Sequence, residues 1–422
     1  MLPARIARQL SSIDWDFPEH FPGTSKNIHW YPGTFPAELP GTLIQAFSSP
    51  GQSVFDPYGG VGTTAAESIR QGRIAIMADN NPIGLLASLT LNGLLILKAI
   101  DPALSEYVLD DVEGRVGIRR EVQRTLLTTS EDFFAEQVRS GLGSAITPNP
   151  VQIYLDARKR AAPAWTALAQ WIERGTLKEV ESFVRKFDVA GTNSFAAIVG
   201  MTMVSACLRA GSSQTQSWGH IADNVRPREF IAKPFGTLCF NWIRKLRGAI
   251  RATNVLGMLD RREKYLYLLN HDWNQRLLLK HTPRRKADLL ISSPPYANAI
   301  DYTYAQRLSL HLLGYTEEEI HEQSTAEIGA RRKRFSSVAA TAWSESLIAA
   351  LEKQVALLSD TATICLVLPH KEAGREIAAI DIKQYLVDNG WSEVFRTNRS
   401  IRQSRTRQSW TSIKRETLLI FQ

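Results

Sequence analysis

A short apolar strand that runs into a glycine-rich turn and then into a helix, residues 54–64 (Val-Phe-Asp-Pro-Tyr-Gly-Gly-Val-Gly-Thr-Thr), constrains this chain more than any other stretch. Gly59, Gly60 and Gly62 let the backbone approach a ligand closely, and a helix starting at Thr63 or Thr64 offers free N–H groups. Such a unit belongs to an open, mostly parallel α/β sheet with its ligand at the carboxyl ends of the strands. Alone, the loop would hold a dinucleotide equally well. Two acids narrow the choice. Asp56 repels a phosphate and attracts an ammonium group. Residues 72–79 (Gly-Arg-Ile-Ala-Ile-Met-Ala-Asp) read as the next strand. It ends in Asp79, about twenty residues after the glycines, where a carboxylate accepts hydrogen bonds from ribose hydroxyls. The pair suits S-adenosylmethionine better than a pyrophosphate.

More than two hundred residues downstream, the apolar run 288–292 (Asp-Leu-Leu-Ile-Ser) meets Ser293-Pro294-Pro295-Tyr296. Two prolines fix their own φ and push the residues before them into extended conformations, so the loop is stiff before any ligand arrives. Ser293 and the Pro294 carbonyl would each accept one N–H of a planar amine, and Tyr296 would stack on the ring that carries it. Taken by itself, Ser-Pro-Pro-Tyr is as readily a turn capping a sheet edge.

Together with Ala78-Asp79-Asn80-Asn81-Pro82 and Asp301-Tyr302, these two motifs resemble the amino-methyltransferases that modify exocyclic amines of DNA bases. Ser at the first loop position resembles the cytosine-N4 branch, whereas Asp or Asn there marks the adenine-N6 branch. The resemblance covers residues 27–100 and 262–422. It implies a class I methyltransferase fold: a mostly parallel, Rossmann-like seven-stranded sheet with one antiparallel closing strand. It also implies S-adenosylmethionine held by Asp56, Tyr58, Gly59, Gly60, Gly62, Thr63, Thr64, Asp79 and Asn80. By the same resemblance the segment 31–36, with Tyr31 and Phe35, closes over the methionine end. Asp272 would take the adenine amino group and Trp273 would flank the ring. The implied reaction is methyl transfer to N4 of a flipped cytosine in double-stranded DNA, as in a restriction–modification or defence system. An RNA amino-methyltransferase, an adenine-N6 enzyme and an idle DNA-binding subunit remain the alternatives.

Strand and helix patterns alternate from 265 to the end: strands at 265–269, 362–368, 391–395 and 417–421, helices at 305–313 and 377–387. Residues 1–26 read as an irregular arm and 83–96 as a buried helix. Residues 101–261 form a mainly helical insertion, a candidate for target recognition. Enzymes of the resembled kind with the cofactor motif first usually insert that domain later in the chain. Within the insertion, 217–228 is a loop dense in polar and aromatic groups, and 241–247 (Asn-Trp-Ile-Arg-Lys-Leu-Arg) is a solvated basic face with Trp242 and Leu246 turned inward.

The chain of 422 residues carries a formal charge of +8, with 50 Lys and Arg against 42 Asp and Glu. That balance fits a polyanionic partner. Two basic runs are expected to grip phosphates: Arg331, Arg332, Lys333 and Arg334, and then Arg399, Arg402, Arg405 and Arg407 beside Arg396. Cys207, Cys239 and Cys365 are isolated, which fits a reducing cytoplasm, and with the scattered histidines they suggest no metal site. His271 reads as a solvent-facing or capping residue. No membrane association is expected.

Overall fold

The computed structural model describes residues 2–18, 28–117, 128–214, 226–256, 264–275, 285–296, 301–329, 339–370, 375–400 and 415–422. Eight strands form one sheet: β1 (Ser53–Asp56), β2 (Ile74–Asp79), β3 (Ile146–Thr147), β4 (Leu266–Asn270), β5 (Ala287–Ser292), β6 (Leu358–Pro369), β7 (Glu393–Ser400) and β8 (Arg415–Phe421). Their spatial order is β3-β4-β2-β1-β5-β6-β8-β7. All pairings are parallel except those of β8, which runs antiparallel to both β6 and β7. This is the expected methyltransferase sheet with one strand more. The two-residue β3 comes from the insertion and extends the edge beyond β4.

A sheet covered by helices on both faces needs apolar residues at successive positions, and these strands have them. Leu290 packs on one face, Leu289 and Ile291 on the other; Ile364 and Leu366 alternate likewise with Cys365 and Val367. The first face carries the helices Ala339–Val355 and Arg375–Asp388 through Trp343, Leu347, Ile382 and Leu386. On the opposite face, Leu39, Leu43 and Ile44 of the helix Glu38–Phe47 cover β1, β5, β6 and β8. The N-terminal stretch departs from the irregular arm expected of it. It starts with the helix Ala4–Ser11, and Leu10 and Trp15 are buried in that same layer.

Beside them on this face lies the helix Pro82–Ile100, with every residue from Pro82 to Leu97 buried. Asn81 caps it by accepting from the Ile83 N–H at 3.0 Å, and Pro82 occupies the first turn, where its missing N–H costs nothing. The helix is longer than the 83–96 pattern suggested. By length and composition it would cross a bilayer, but 83% of its apolar window is buried inside the protein. What buries it is the insertion. Leu104, Val108, Ile198, Met203, Phe235 and Ile243 join it in one continuous apolar cluster. The insertion therefore shares its core with the sheet and is not set apart from it. Its helices Pro102–Arg115 and Phe235–Ala252 are cross-tied by charge: Arg247 reaches Asp110 at 2.9 Å and Glu113 at 3.1 Å, and Arg251 reaches Glu106 at 2.7 Å. Trp242 and Leu246 point inward as expected, whereas Arg247 is an internal tie rather than part of a solvated face.

Candidate active site

The carboxyl ends of β1, β2, β4 and β5 open into one cleft. Its wall includes Asp56, Tyr58, Gly59, Gly60 and Thr63 after β1, Asp79 and Asn80 after β2, Asp272 and Trp273 after β4, and Ser293 and Pro295 after β5. Tyr31 and Phe35 close another side. The two motifs, far apart in sequence, thus face a common space.

The glycine loop is shaped by packing. Gly60 and Gly62 adopt positive φ of 53° and 81°. A Cβ on Gly62 would lie 2.2 Å from Ser88 Oγ, and one on Gly84 would lie 2.9 Å from the Gly60 carbonyl, so the long buried helix presses directly on the loop. Asp79 fastens the front. Its carboxylate accepts from the Gly60 N–H at 2.7 Å and the Asn81 N–H at 2.8 Å. Asp56 fastens the base by accepting from Thr64 Oγ1 at 2.5 Å and the Tyr58 N–H at 3.1 Å. Gly62 and Thr64 are therefore supports behind the cleft rather than parts of its wall.

Burial sets the electrostatics. It raises Asp56 to about 7 and Asp79 to about 6, against the hydrogen bonds they accept. Glu327, which also lines the cleft, is raised to about 7 by burial despite accepting from the N–H groups of Tyr302 at 2.7 Å and Thr303 at 3.2 Å. Tyr31 and Tyr302 are pushed up by burial and by nearby carboxylates; their rings are 6.4 Å apart. Three acids under desolvation strain make a cleft that attracts a cation.

S-adenosylmethionine carries an ammonium and a sulfonium, and the residues present fit it. The glycine cradle leaves no room for a side chain, the acids supply negative charge, and Thr63 Oγ1 at the helix start is buried with no hydrogen-bond partner among the described residues. Trp273 is held rigid by its Nε1–H donated to the Pro57 carbonyl at 2.7 Å, and Asp272 accepts from the Asn274 N–H at 2.9 Å.

Several expectations change. Tyr296 does not line the cleft. Its hydroxyl turns to the sheet, where it bonds Ser293 Oγ at 3.0 Å and Glu416 Oε1 at 2.8 Å, so the expected stacking face is not offered there. Pro294 is buried beside it, and the Pro295 carbonyl is taken by Trp343 Nε1 at 2.9 Å. Arg399 is 5% exposed and pairs with Glu416 at 2.8 Å, which removes it from any phosphate-gripping surface. Arg396 pairs with Glu393. His271 is half-buried in the cleft wall, edge-on to Trp273, and burial lowers its pKa. Arg331, Arg332, Lys333, Arg334, Arg402, Arg405 and Arg407, with most of the loop 217–228, lie outside the described residues. No cluster of three or more potential metal ligands occurs among the described residues.

Glu327 and Thr303 escaped the sequence reading, and Tyr302 entered it only as a motif neighbour. The pairing Asp301-Tyr302 was a usable signal; Glu327 had none, because it reaches the cleft only through the fold.

Residues 7–83 match the N6_N4_Mtase model, a DNA methylase family. The match takes in β1, the glycine loop and β2, so the cofactor half of the sheet carries the likeness, which supports a relation to the N6/N4 amino-methyltransferases acting on nucleic acid. No curated protein matches the chain. Among solved structures, the rRNA methyltransferase aviRa from Streptomyces viridochromogenes aligns with 93% of this chain and 88% of its own, at 11% identity and a TM-score of 0.33.

Proposed function

We propose that this protein transfers a methyl group from S-adenosylmethionine to the exocyclic N4 amine of a cytosine in duplex DNA. The observation that carries the reading is the shared cleft: Ser293 after β5 faces the same space as Asp56, Asp79 and the glycine loop after β1 and β2. Bound there, S-adenosylmethionine would supply an electrophilic methyl group. Asp56, Tyr58, Gly59, Gly60, Thr63, Asp79, Asn80, Asp272 and Trp273 would hold it, with Tyr31 and Phe35 over one end.

An amine inside a duplex is sterically out of reach, so the target nucleotide is flipped into the cleft, at a cost of a few kcal/mol in unstacking. Ser293 accepts an N–H bond of the amine and turns its lone pair toward the methyl group. Tyr302, which lines the cleft, replaces Tyr296 as the aromatic surface for the base. Rate enhancement comes chiefly from proximity and orientation. The cytosine assignment rests on Ser293 standing where the adenine-N6 branch has Asp or Asn.

The test is transfer of a tritiated methyl group to unmethylated duplex DNA, tRNA and rRNA, followed by nucleoside analysis of the product. N4-methylcytosine in DNA is the expected outcome. N6-methyladenine would move the target base, label in RNA alone would move the substrate, and no label in any would leave a binding subunit. Methylome sequencing of a host expressing the chain would then give the target sequence and show whether a restriction–modification role fits.

A further inference from the structure

Ser293 is one end of a part-buried chain of hydrogen bonds that leads away from the cleft. Its Oγ donates to Tyr296 Oη at 3.0 Å, and Tyr296 donates to Glu416 Oε1 at 2.8 Å. Glu416 Oε2 accepts from Arg399 Nη1 at 2.8 Å, and Arg399 Nε donates to the Trp15 carbonyl at 3.1 Å. The chain thus crosses from the catalytic loop to β8, then to β7 and the N-terminal segment. Its direction follows from chemistry. A carboxylate ionised beside a guanidinium only accepts, so Tyr296 gives its proton to Glu416 and keeps lone pairs for Ser293. Ser293 then spends its own proton inward and presents lone pairs to the cleft, as an acceptor of an amine N–H must.

We infer that Glu416 positions the catalytic loop and is the terminal acceptor of the proton shed by the methylated amine, reached through Ser293 and Tyr296. This rests on the methyl-transfer reading above. As the new C–N bond forms and the S–C bond breaks, sulfur keeps the electron pair and the amine nitrogen is left with one proton too many. That proton passes to Ser293 Oγ while the Ser293 proton moves to Tyr296 and the Tyr296 proton to Glu416. Glu416 ends neutral beside Arg399, and loss of its proton to solvent resets the chain. Burial raises the pKa of Glu416 against the opposing pull of Arg399 and Tyr296, which makes it a better acceptor than an exposed glutamate. Among the described residues, the other titratable groups near it include Tyr302, and His370, whose ring bonds Thr417 Oγ1 at 2.9 Å and whose backbone N–H donates to the Arg415 carbonyl at 3.0 Å.

Glu416→Gln keeps the volume and can still accept from Tyr296 while losing the proton-accepting capacity. In the full chain it should lower kcat about tenfold or more with S-adenosylmethionine affinity unchanged, while loss of the buried counter-charge of Arg399 lowers the melting temperature. Because Glu416 must be ionised to accept, wild-type kcat should rise with pH and level off; E416Q should lack that limb and H370Q should keep it. Tyr296→Phe should lose as much as E416Q, and the double variant no more than either. A wild-type kcat in E416Q, or a loss at temperatures well below its melting point that is explained by weakened cofactor binding, would overturn the relay. A readout independent of turnover is the carbon NMR signal of Tyr296 in protein labelled at tyrosine Cζ. It should follow a titration that disappears in E416Q, and its indifference to that variant would also overturn the relay. Failure of the wild type to methylate any nucleic acid counts against the function proposed above, while the NMR still decides the hydrogen-bonded chain.

Discussion

The two halves of the cleft are built by different means. Around β1 and β2 the backbone makes the site: glycines at positive φ, a helix pressed against them, and carboxylates tied to main-chain N–H groups over short sequence separations. Around β5, β6 and β8 side chains make it, through contacts spanning 120 residues between Tyr296 and Glu416 and 384 between Trp15 and Arg399. A backbone-built half tolerates substitution only where no Cβ is added. A side-chain-built half keeps its shape under isosteric change and loses its chemistry, so the two should fail in distinguishable ways.

The sharpest separation is expected at Ser293. Ser293→Ala removes the acceptor proposed above to face the amine and leaves the glycine loop untouched, so methyl transfer should fall by about a hundredfold or more while S-adenosylmethionine affinity stays the same. Calorimetric titration alongside single-turnover transfer checks both; an equal loss of cofactor binding would mean the halves are not independent. The converse comes from Gly62→Ala. It forces a Cβ at φ 81° to within 2.2 Å of Ser88 Oγ, at a cost of about 1–3 kcal/mol, and should lower stability and cofactor affinity together. A melting scan with and without cofactor measures it.

The same contrast explains what the sequence made legible. Gly59, Gly60, Asp56 and Asp79 announce themselves because backbone sites demand particular residues at particular spacings, and the strand alternation that buries Leu289, Leu290 and Ile291 is equally local. Arg399 misled, because an arginine in a basic, polar run looks solvated until Glu416 is known to stand across the strand pair. Tyr296 misled for the same reason: its partner lies on another strand. The insertion was legible as helical but not as core, since the apolar residues of the helix Phe195–Gly211 do not say which surface they will cover.

Glu327 offers a smaller test on the border between the halves. Its carboxylate accepts from two N–H groups at the start of the short helix Tyr302–Ala305. Glu327→Ala leaves both without that acceptor, a loss of about 1–3 kcal/mol, which should show as a lowered melting temperature. Transfer should weaken more than cofactor affinity, because the helix carries Tyr302 into the substrate side. An unchanged ratio of the two would place Glu327 with the cofactor half instead.

The mildest effect, of a few fold, should come from pH. Asp56 near 7, Asp79 near 6 and Glu327 near 7 hold protons in the free protein at pH values where exposed carboxylates, near 4, have lost them. Between about pH 4 and 7 these three acids therefore bind more protons in the folded state than in the unfolded one, and their contribution to the stability of the free protein falls as pH rises through that window, opposed by the lowered His29. A cationic ligand favours the ionised acids, so its binding expels those protons and tightens as pH rises through 6 and 7, levelling off above about 8. The two trends have opposite sign. The melting temperature of the free protein relative to Asp56→Asn should decline from pH 5 to 7.5 while the shift produced by S-adenosylmethionine grows, and titration in buffers of different ionisation enthalpy should detect proton release. Asp56→Asn should flatten both trends, whereas Glu416→Gln, remote from the cofactor acids, should leave the growth of the ligand-induced shift intact.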